Sequence, residues 1–289
     1  MAQDLRNYLD LIKRRKPEDF RIVSKEVDPA YEITAIVVKA EREARQRPVF
    51  LFEKVKGTRF PVLTNLHASR GRLAAAMSCV PEDMLKTYLR AMDKPIPPRV
   101  VPTGPVKEVV LTGDRLNLLD LPQIVHHQGD AGPYLTAAIS FARDPSSETW
   151  NCAYNRLMVK GRDTTSIHLT AGKHLWEFYR IAESLGKPLP VAFAVGVHPA
   201  IALGALAIGS IDEDERAIMG ALLGEPLELV RCETSELLVP AHAEMVIEAE
   251  ILPAERIPEG PFGEFTGYSL GERQREVVKV KAVTHRRGA

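Results

Sequence analysis

Cysteine is scarce. The 289 residues include 3, Cys79, Cys152 and Cys232, which are far apart and form no CxxC pair. That argues against a disulfide scaffold and against a cysteine-based zinc site. Net charge is missing as well, since Lys+Arg and Asp+Glu both number 38. A nucleic-acid binder carries a basic footprint and a membrane-surface protein a cationic one, so neither class fits. The N-terminal stretch MAQDLRNYLDLIKRRK has none of the apolar core a signal peptide needs. The longest apolar run, VAFAVGVHPAIALGALAIG, is interrupted by Gly, His and Pro. It reads as a buried strand, turn and helix rather than a membrane span. The expectation is a cytoplasmic protein. Walker, HExxH, GxSxG and Rossmann patterns are also absent, which weakens the nucleotide, metalloprotease and hydrolase readings.

What is present is ordinary globular material, 45% hydrophobic and 26% charged, enough for two domains or one large one. Leu5, Tyr8, Leu9 and Ile12 form one apolar helical face that ends in KRRK, a basic run suited to a helix C-terminus. Asp28 and Pro29 read as N-cap and first residue of a second helix. PVFLFEKV and PVLTNL read as strands, and SRGRLAAAMSC and PEDMLKTYLRAM as helices. The segment KPIPPRVVPTGP then places five of the chain's 21 prolines together, an extended linker. A boundary near residue 100 follows, with an α/β unit over 1–100 and a strand-rich region over 101–289.

In the second region VKEVVL, YLTAAISFARD, WNCAYNRLMVKG, DTTSIHLT, LPVAFAVGV, ELVRCE, EMVIEAEILP and VVKVKAVTHR read as strands. Two helices interrupt them. One is GKHLWEFYRIAESLG, with Leu175, Phe178, Tyr179, Ala182 and Leu185 on one face; the other is DEDERAIMGALLG, closed by Gly224. The class is α+β, around a barrel or a strongly bent sheet. There are no repeats.

Four segments can carry chemistry. In EGPFGEFTGY, Glu259 and Glu264 bracket a Gly-Pro-Phe-Gly turn that can return the two acids to each other. Paired carboxylates push one pKa up and leave a proton donor near neutral pH. By spacing alone, a solvated loop with two unrelated acids is the commoner origin. In WNCAYNR, Asn151 and Arg156 are five apart, on opposite faces of an ideal strand unless a bulge intervenes. An inward Arg needs an anionic partner; an Arg on a solvated face is the simpler reading. In GKHLWEF, Lys173 and His174 open a helix, where backbone N–H groups favour phosphate, although a surface turn would look the same. In SIDEDERAIMG, Asp212 and Glu215 fit a capping box, or an acid here ligates a divalent metal. His126, His127, His168 and His198 have no metal-specifying spacing and read as structural or pocket-lining.

Taken together, DLRNYLDLIK, FLFEKVKG, PVLTNL, GDAGPYLT, the N-x4-R of WNCAYNR, LPVAFAVGVHPAIALGA and EGPFGEFTGY resemble the UbiD family over almost the whole chain. The resemblance implies a split β-barrel of the flavin-reductase type after the N-terminal unit. It implies reversible decarboxylation of an α,β-unsaturated or (hetero)aromatic acid with prenylated FMN, whose phosphate is held through manganese, often with potassium nearby. The metal ligands implied are Asn151, His174 and Glu215, with Glu213 the neighbouring choice, and the cofactor-binding residues Asn151, Tyr154, Arg156, Lys173 and His174. Arg156, Glu259 and Glu264 are implied as the catalytic set: Arg156 binds the substrate carboxylate, Glu264 delivers the proton and Glu259 holds the Arg. Family members continue into a C-terminal domain that helps close the site and mediates oligomerisation. The expectation is either the decarboxylase or its catalytic core, as a homo-oligomer, or a cofactor-binding subunit that is inactive until a partner chain supplies such a domain.

Overall fold

The computed structural model describes residues 3–43, 45–264 and 266–289. Helix α1 (Leu5–Arg15) starts where Asp4 accepts the Arg6 N–H, and it buries Leu5, Tyr8 and Ile12. Strand β1 (Phe20–Val23) follows. Helix α2 (Glu32–Glu43) begins four residues after Asp28, not directly after it. Asp28 instead accepts the Ala30 N–H within a turn, Tyr31 adopts a φ of 70°, and Ala30 bridges to Val125, so the helix cannot start until this anchored turn is complete. The expected end of that helix reaches Ala44, outside the described residues. Strands β2 (Val49–Phe52) and β3 (Val62–Thr64) complete a three-stranded sheet, with β1 and β2 parallel. Helices α3 (Arg70–Ala76) and α4 (Met84–Asp93) close the unit.

The proline-rich segment is extended, yet it is not a free linker. Its strand β4 (Arg99–Val100) pairs in parallel with β12 (Glu228–Arg231), which also carries β13 (Leu238–Pro240). The large sheet of the second region contains β5 (Val109–Thr112), β6 (Tyr134–Leu135), β7 (Ile139–Arg143), β8 (Trp150–Tyr154), β9 (Leu157–Val159), β10 (Thr164–Ile167), β11 (Leu189–Val195), β14 (Met245–Glu259) and β17 (Arg273–His285). Its order is β6-β9-β10-β17-β14-β11-β7-β8, with β5 also on β17. Two register shifts between β14 and β17, at Glu248/Ala249 and Ile251/Arg256, bend these long strands into a half-barrel.

Both faces of the sheet are covered, which is why its strands read as nearly continuous apolar runs. Val191 and Phe193 face Phe178 and Tyr179 of helix α5 (His174–Ser184). Ala192 and Ala194 face Ile201 of helix α6 (Pro199–Gly204) and Met219 of helix α7 (Glu215–Leu223). Leu185 departs from the expected buried face, since it is the α5 C-cap and is 57% exposed. Strands β15 (Phe262–Gly263) and β16 (Ser269–Leu270) form a hairpin projecting from the end of β14. Among the described residues no helix is long and apolar enough to cross a membrane.

Candidate active site

WNCAYNRLMVKG is not one strand. It breaks at Asn155, whose backbone N–H donates to the Ala138 carbonyl and whose amide donates to Ser140 Oγ at 2.9 Å. The break separates Asn151 and Arg156 into two surroundings.

Arg156 leaves the ladder and meets three partners. Its Nε donates to Glu259 Oε1 at 3.2 Å, its Nη1 donates to Glu264 Oε1, and its Nη2 lies 3.1 Å from His168 Nδ1. The Phe262 ring lies against the guanidinium at 4.7 Å. Glu259 ends β14 and is buried; Glu264 follows the hairpin strand β15 and its side chain is 29% exposed. The turn thus does bring both acids to one arginine. Arg275 adds a second cation, with Nε 3.6 Å from Glu259 Oε2.

His168, Arg275 and Tyr134 went unassigned to this site in the sequence reading. In the antiparallel pairing of β10 with β17, Ile167 lies opposite Glu276, so the next position sets His168 opposite Arg275. Burial first, then the charges of Arg275 and Arg156, lower the His168 pKa, so it faces the guanidinium as a neutral acceptor. The Tyr134 hydroxyl is buried without a geometric hydrogen-bond partner among the described residues, and burial and then Glu259 raise its pKa. Register, which brings these residues in, is not written into the spacing of any one motif.

Asn151 lies on the other side. It is buried in β8, and its amide donates to Glu215 Oε1 at 3.0 Å, while the Cys152 N–H donates to Glu215 Oε2 at 3.1 Å. The capping-box reading of Asp212 does not hold: Asp214 is the N-cap of α7, and Glu215 is its first residue, turned inward and 5% exposed. Burial raises the Glu215 carboxyl to a pKa of about 7. Among the described residues, Asn151 Oδ1 is buried with no hydrogen-bond partner. Such a carbonyl oxygen beside a buried carboxylate is a donor pair suited to a hard divalent ion. Glu213 is exposed on the preceding loop. His174 is the half-buried first residue of α5, Lys173 is its exposed N-cap, and no hydrogen bond among the described residues joins either to Asn151 or Glu215. Tyr154 is half-buried at the end of β8, its hydroxyl pushed up to about 12 by burial. Among the described residues no three His, Cys, Asp or Glu side chains gather as a metal cluster, so any ion here needs Asn151 or a ligand oxygen as well.

A bent antiparallel sheet with an Arg–Glu–Glu cluster at one end and a buried Asn–Glu pair behind it defines a class, and sequence comparison identifies that class. The chain belongs to the UbiD family: residues 99–289 match the 3-octaprenyl-4-hydroxybenzoate carboxy-lyase Rift-related domain, and residues 11–92 match the N-terminal domain of that carboxy-lyase. An evolved dimeric form of the UbiD-class enzyme HmfF from Pelotomaculum thermopropionicum, in complex with prFMN, is 45% identical with a TM-score of 0.94. The match covers 99% of this chain and 66% of that one. An uncharacterised protein of Rhodospirillum rubrum is 37% identical over 273 residues, 92% of this chain and 58% of the relative. The phenolic acid decarboxylase of Sedimentibacter hydroxybenzoicus is 33% identical over 298 residues, 98% of this chain and 62% of the relative. The chain spans about three-fifths of the length of these relatives.

Proposed function

We propose that this chain carries the cofactor site and the acid–base residues of a reversible non-oxidative decarboxylase acting on an α,β-unsaturated or (hetero)aromatic carboxylic acid. The observation that carries the reading is Arg156 held between Glu259 and Glu264. Flavin binding alone does not call for such a cluster, whereas removal of a carboxylate calls for a cation to orient it and an acid to return a proton.

Prenylated FMN, when bound, supplies the electron sink that no side chain offers for the pair left behind by CO2. Asn151, Glu215 and His174 would hold a manganese ion beside its phosphate, with potassium as a second cation. Lys173 and the α5 N-terminus would meet the phosphate itself, and Tyr154 would line the flavin. Supporting this are Asn151 Oδ1, buried with no hydrogen-bond partner among the described residues, and the Glu215 carboxyl, raised to a pKa of about 7 by burial. Arg156 binds and orients the substrate carboxylate. Glu259 and the neutral His168 fix the plane of the guanidinium, so the positive charge is aimed rather than free to turn. Glu264, more exposed than Glu259, hands a proton to the carbon that has lost CO2. The remaining two-fifths of the relatives' length points to a further domain, in this polypeptide's relatives or a partner chain, that excludes water over this site. A cytoplasmic setting fits such a cofactor enzyme.

The test is co-expression with a flavin prenyltransferase, followed by the absorption spectrum and an assay of CO2 release over a panel of acrylic, aryl and heteroaryl acids. Glu264→Gln should retain the cofactor spectrum and lose turnover by at least about 10²-fold. Undiminished turnover would remove the acid role. Bound cofactor without turnover in the wild type would favour a subunit that needs a partner domain.

A further inference from the structure

The GDAGPYLT segment already contributes Tyr134 to the site, and a second of its side chains, Asp130, is built in beside it. The Asp130 side chain is wholly buried, at 0% exposure. Its Oδ1 accepts the backbone N–H of Gly263 at 2.8 Å, and its Oδ2 accepts the backbone N–H of His127 at 2.9 Å. The His127 imidazole lies 3.7 Å from Oδ2 on the solvent side. One residue along, the Ala131 N–H donates to the Pro261 carbonyl at 2.8 Å. The loop and the hairpin, 133 residues apart, are therefore joined by bonds running in both directions. The fit is tight: a Cβ on Gly263 would come 2.9 Å from His127 Nδ1 and 3.5 Å from Asp130 Oδ1.

Two backbone donors aimed at two oxygens specify a carboxylate. An asparagine can accept only one of them and turns an NH2 group toward the other. Among the described residues of the hairpin, the other backbone bonds are internal to it: Phe262 pairs with Leu270, Gly263 with Ser269, and the Glu264 N–H donates to the Tyr268 carbonyl. Outside these, the tip is held by the Phe262 ring, packed on Tyr134 at 4.5 Å, and by Glu264 itself on Arg156. Among the described residues, the backbone tether from outside the hairpin nearest to Glu264 is thus the Asp130 carboxylate.

We propose that Asp130 is a positioning residue for Glu264. It clamps the 261–263 turn against the 127–131 loop and so sets where the acid stands relative to Arg156. The kinetic side of this proposal rests on the decarboxylase reading; the clamp itself does not. Arg156 keeps Glu259 and His168 when the clamp is removed, so substrate capture should survive while proton delivery fails.

The experiment compares wild type, Asp130→Ala and Asp130→Asn, each loaded with prenylated FMN, using the acid from the panel that wild type turns over fastest. Asp130→Ala should lower kcat by about 10²-fold, the scale of an ångström-sized misplacement. KM should stay within about two-fold of wild type, and the solvent deuterium effect on kcat should rise as protonation becomes limiting. Hydrogen exchange should accelerate in the 259–270 peptide and not in the 189–195 or 245–251 strands. Asp130→Asn, which keeps one acceptor, should fall between the two. Unchanged exchange over 259–270 in Asp130→Ala would overturn the clamp. A loss spread evenly over the whole sheet, or a loss expressed in KM, would overturn the positioning role. If wild type binds the cofactor yet turns over none of the acids, the chain reads as a subunit that needs a partner domain, and the exchange measurement alone decides the clamp.

Discussion

At His198 the buried imidazole accepts the Ala200 N–H through Nδ1, at 3.2 Å, so only the neutral ring can cap helix α6. Burial depresses its pKa from 6.5 to about 4, with Asp4 opposing. As pH falls below about 6.5 the unfolded chain takes up this proton first, so stability is complete above that pH and is lost on the way down to about 4. Urea unfolding from pH 7 to 4 should show that slope, and His198→Asn, a cap that does not titrate, should flatten it. The sequence showed His198 only as a histidine without metal spacing. Arg156, Glu259 and Glu264 were singled out through the family resemblance of N-x4-R and EGPFGE, whereas spacing alone favoured a solvated loop and a solvated Arg, because the contact that joins them spans over a hundred residues. His168 was not, because its partner is reached by strand pairing, and a histidine inside TSIHLT looks like any strand residue.

Helix α7 shows what an element's sequence reveals and what it hides. Its span and its end at Gly224, with φ of 79°, follow from the apolar spacing and the glycine. Its first residue does not follow, because Asp212 and Asp214 are both competent caps. Asp214 wins because starting there turns Glu215 inward to Asn151, a requirement set by β8 and not by the helix. Farther along, Gly220 looks like a weak point in a helix. A Cβ there would come 2.6 Å from the Ile96 carbonyl oxygen and 3.2 Å from that of Glu225. Gly220→Ala should therefore destabilise by about 1–3 kcal/mol, despite alanine's better propensity. Thermal and urea unfolding would measure this, and a neutral or stabilised variant would show that α7 can slide away from the proline-rich segment.

Across the whole molecule, the α+β class was readable from composition and pattern, since helical periodicity gives way to strands after the proline cluster. The docking of the proline-rich segment as β4 was not readable, because a parallel pairing with Glu228–Leu229 depends on residues far downstream. The same holds for the tie between the two ends of the described chain. Asp4 accepts from Arg286 at 2.7 Å, Arg286 lies 3.5 Å from Glu244, and Glu244 accepts from Arg6. Asp4→Asn should cost about 1.5–3 kcal/mol, the range for a hydrogen bond to a charged group, read out by urea unfolding. A smaller loss would show that Glu244 alone holds Arg286.

The partners of Arg156 lie 103 and 108 residues downstream. On the ribosome, the guanidinium and His168 are therefore synthesised long before either glutamate leaves the exit tunnel. A nascent chain at that stage would have to bury a cation against a neutral imidazole, which is costly. The half-barrel accordingly has reason to stay open until β14 and its hairpin emerge, so strands made long after the arginine license the pocket to close.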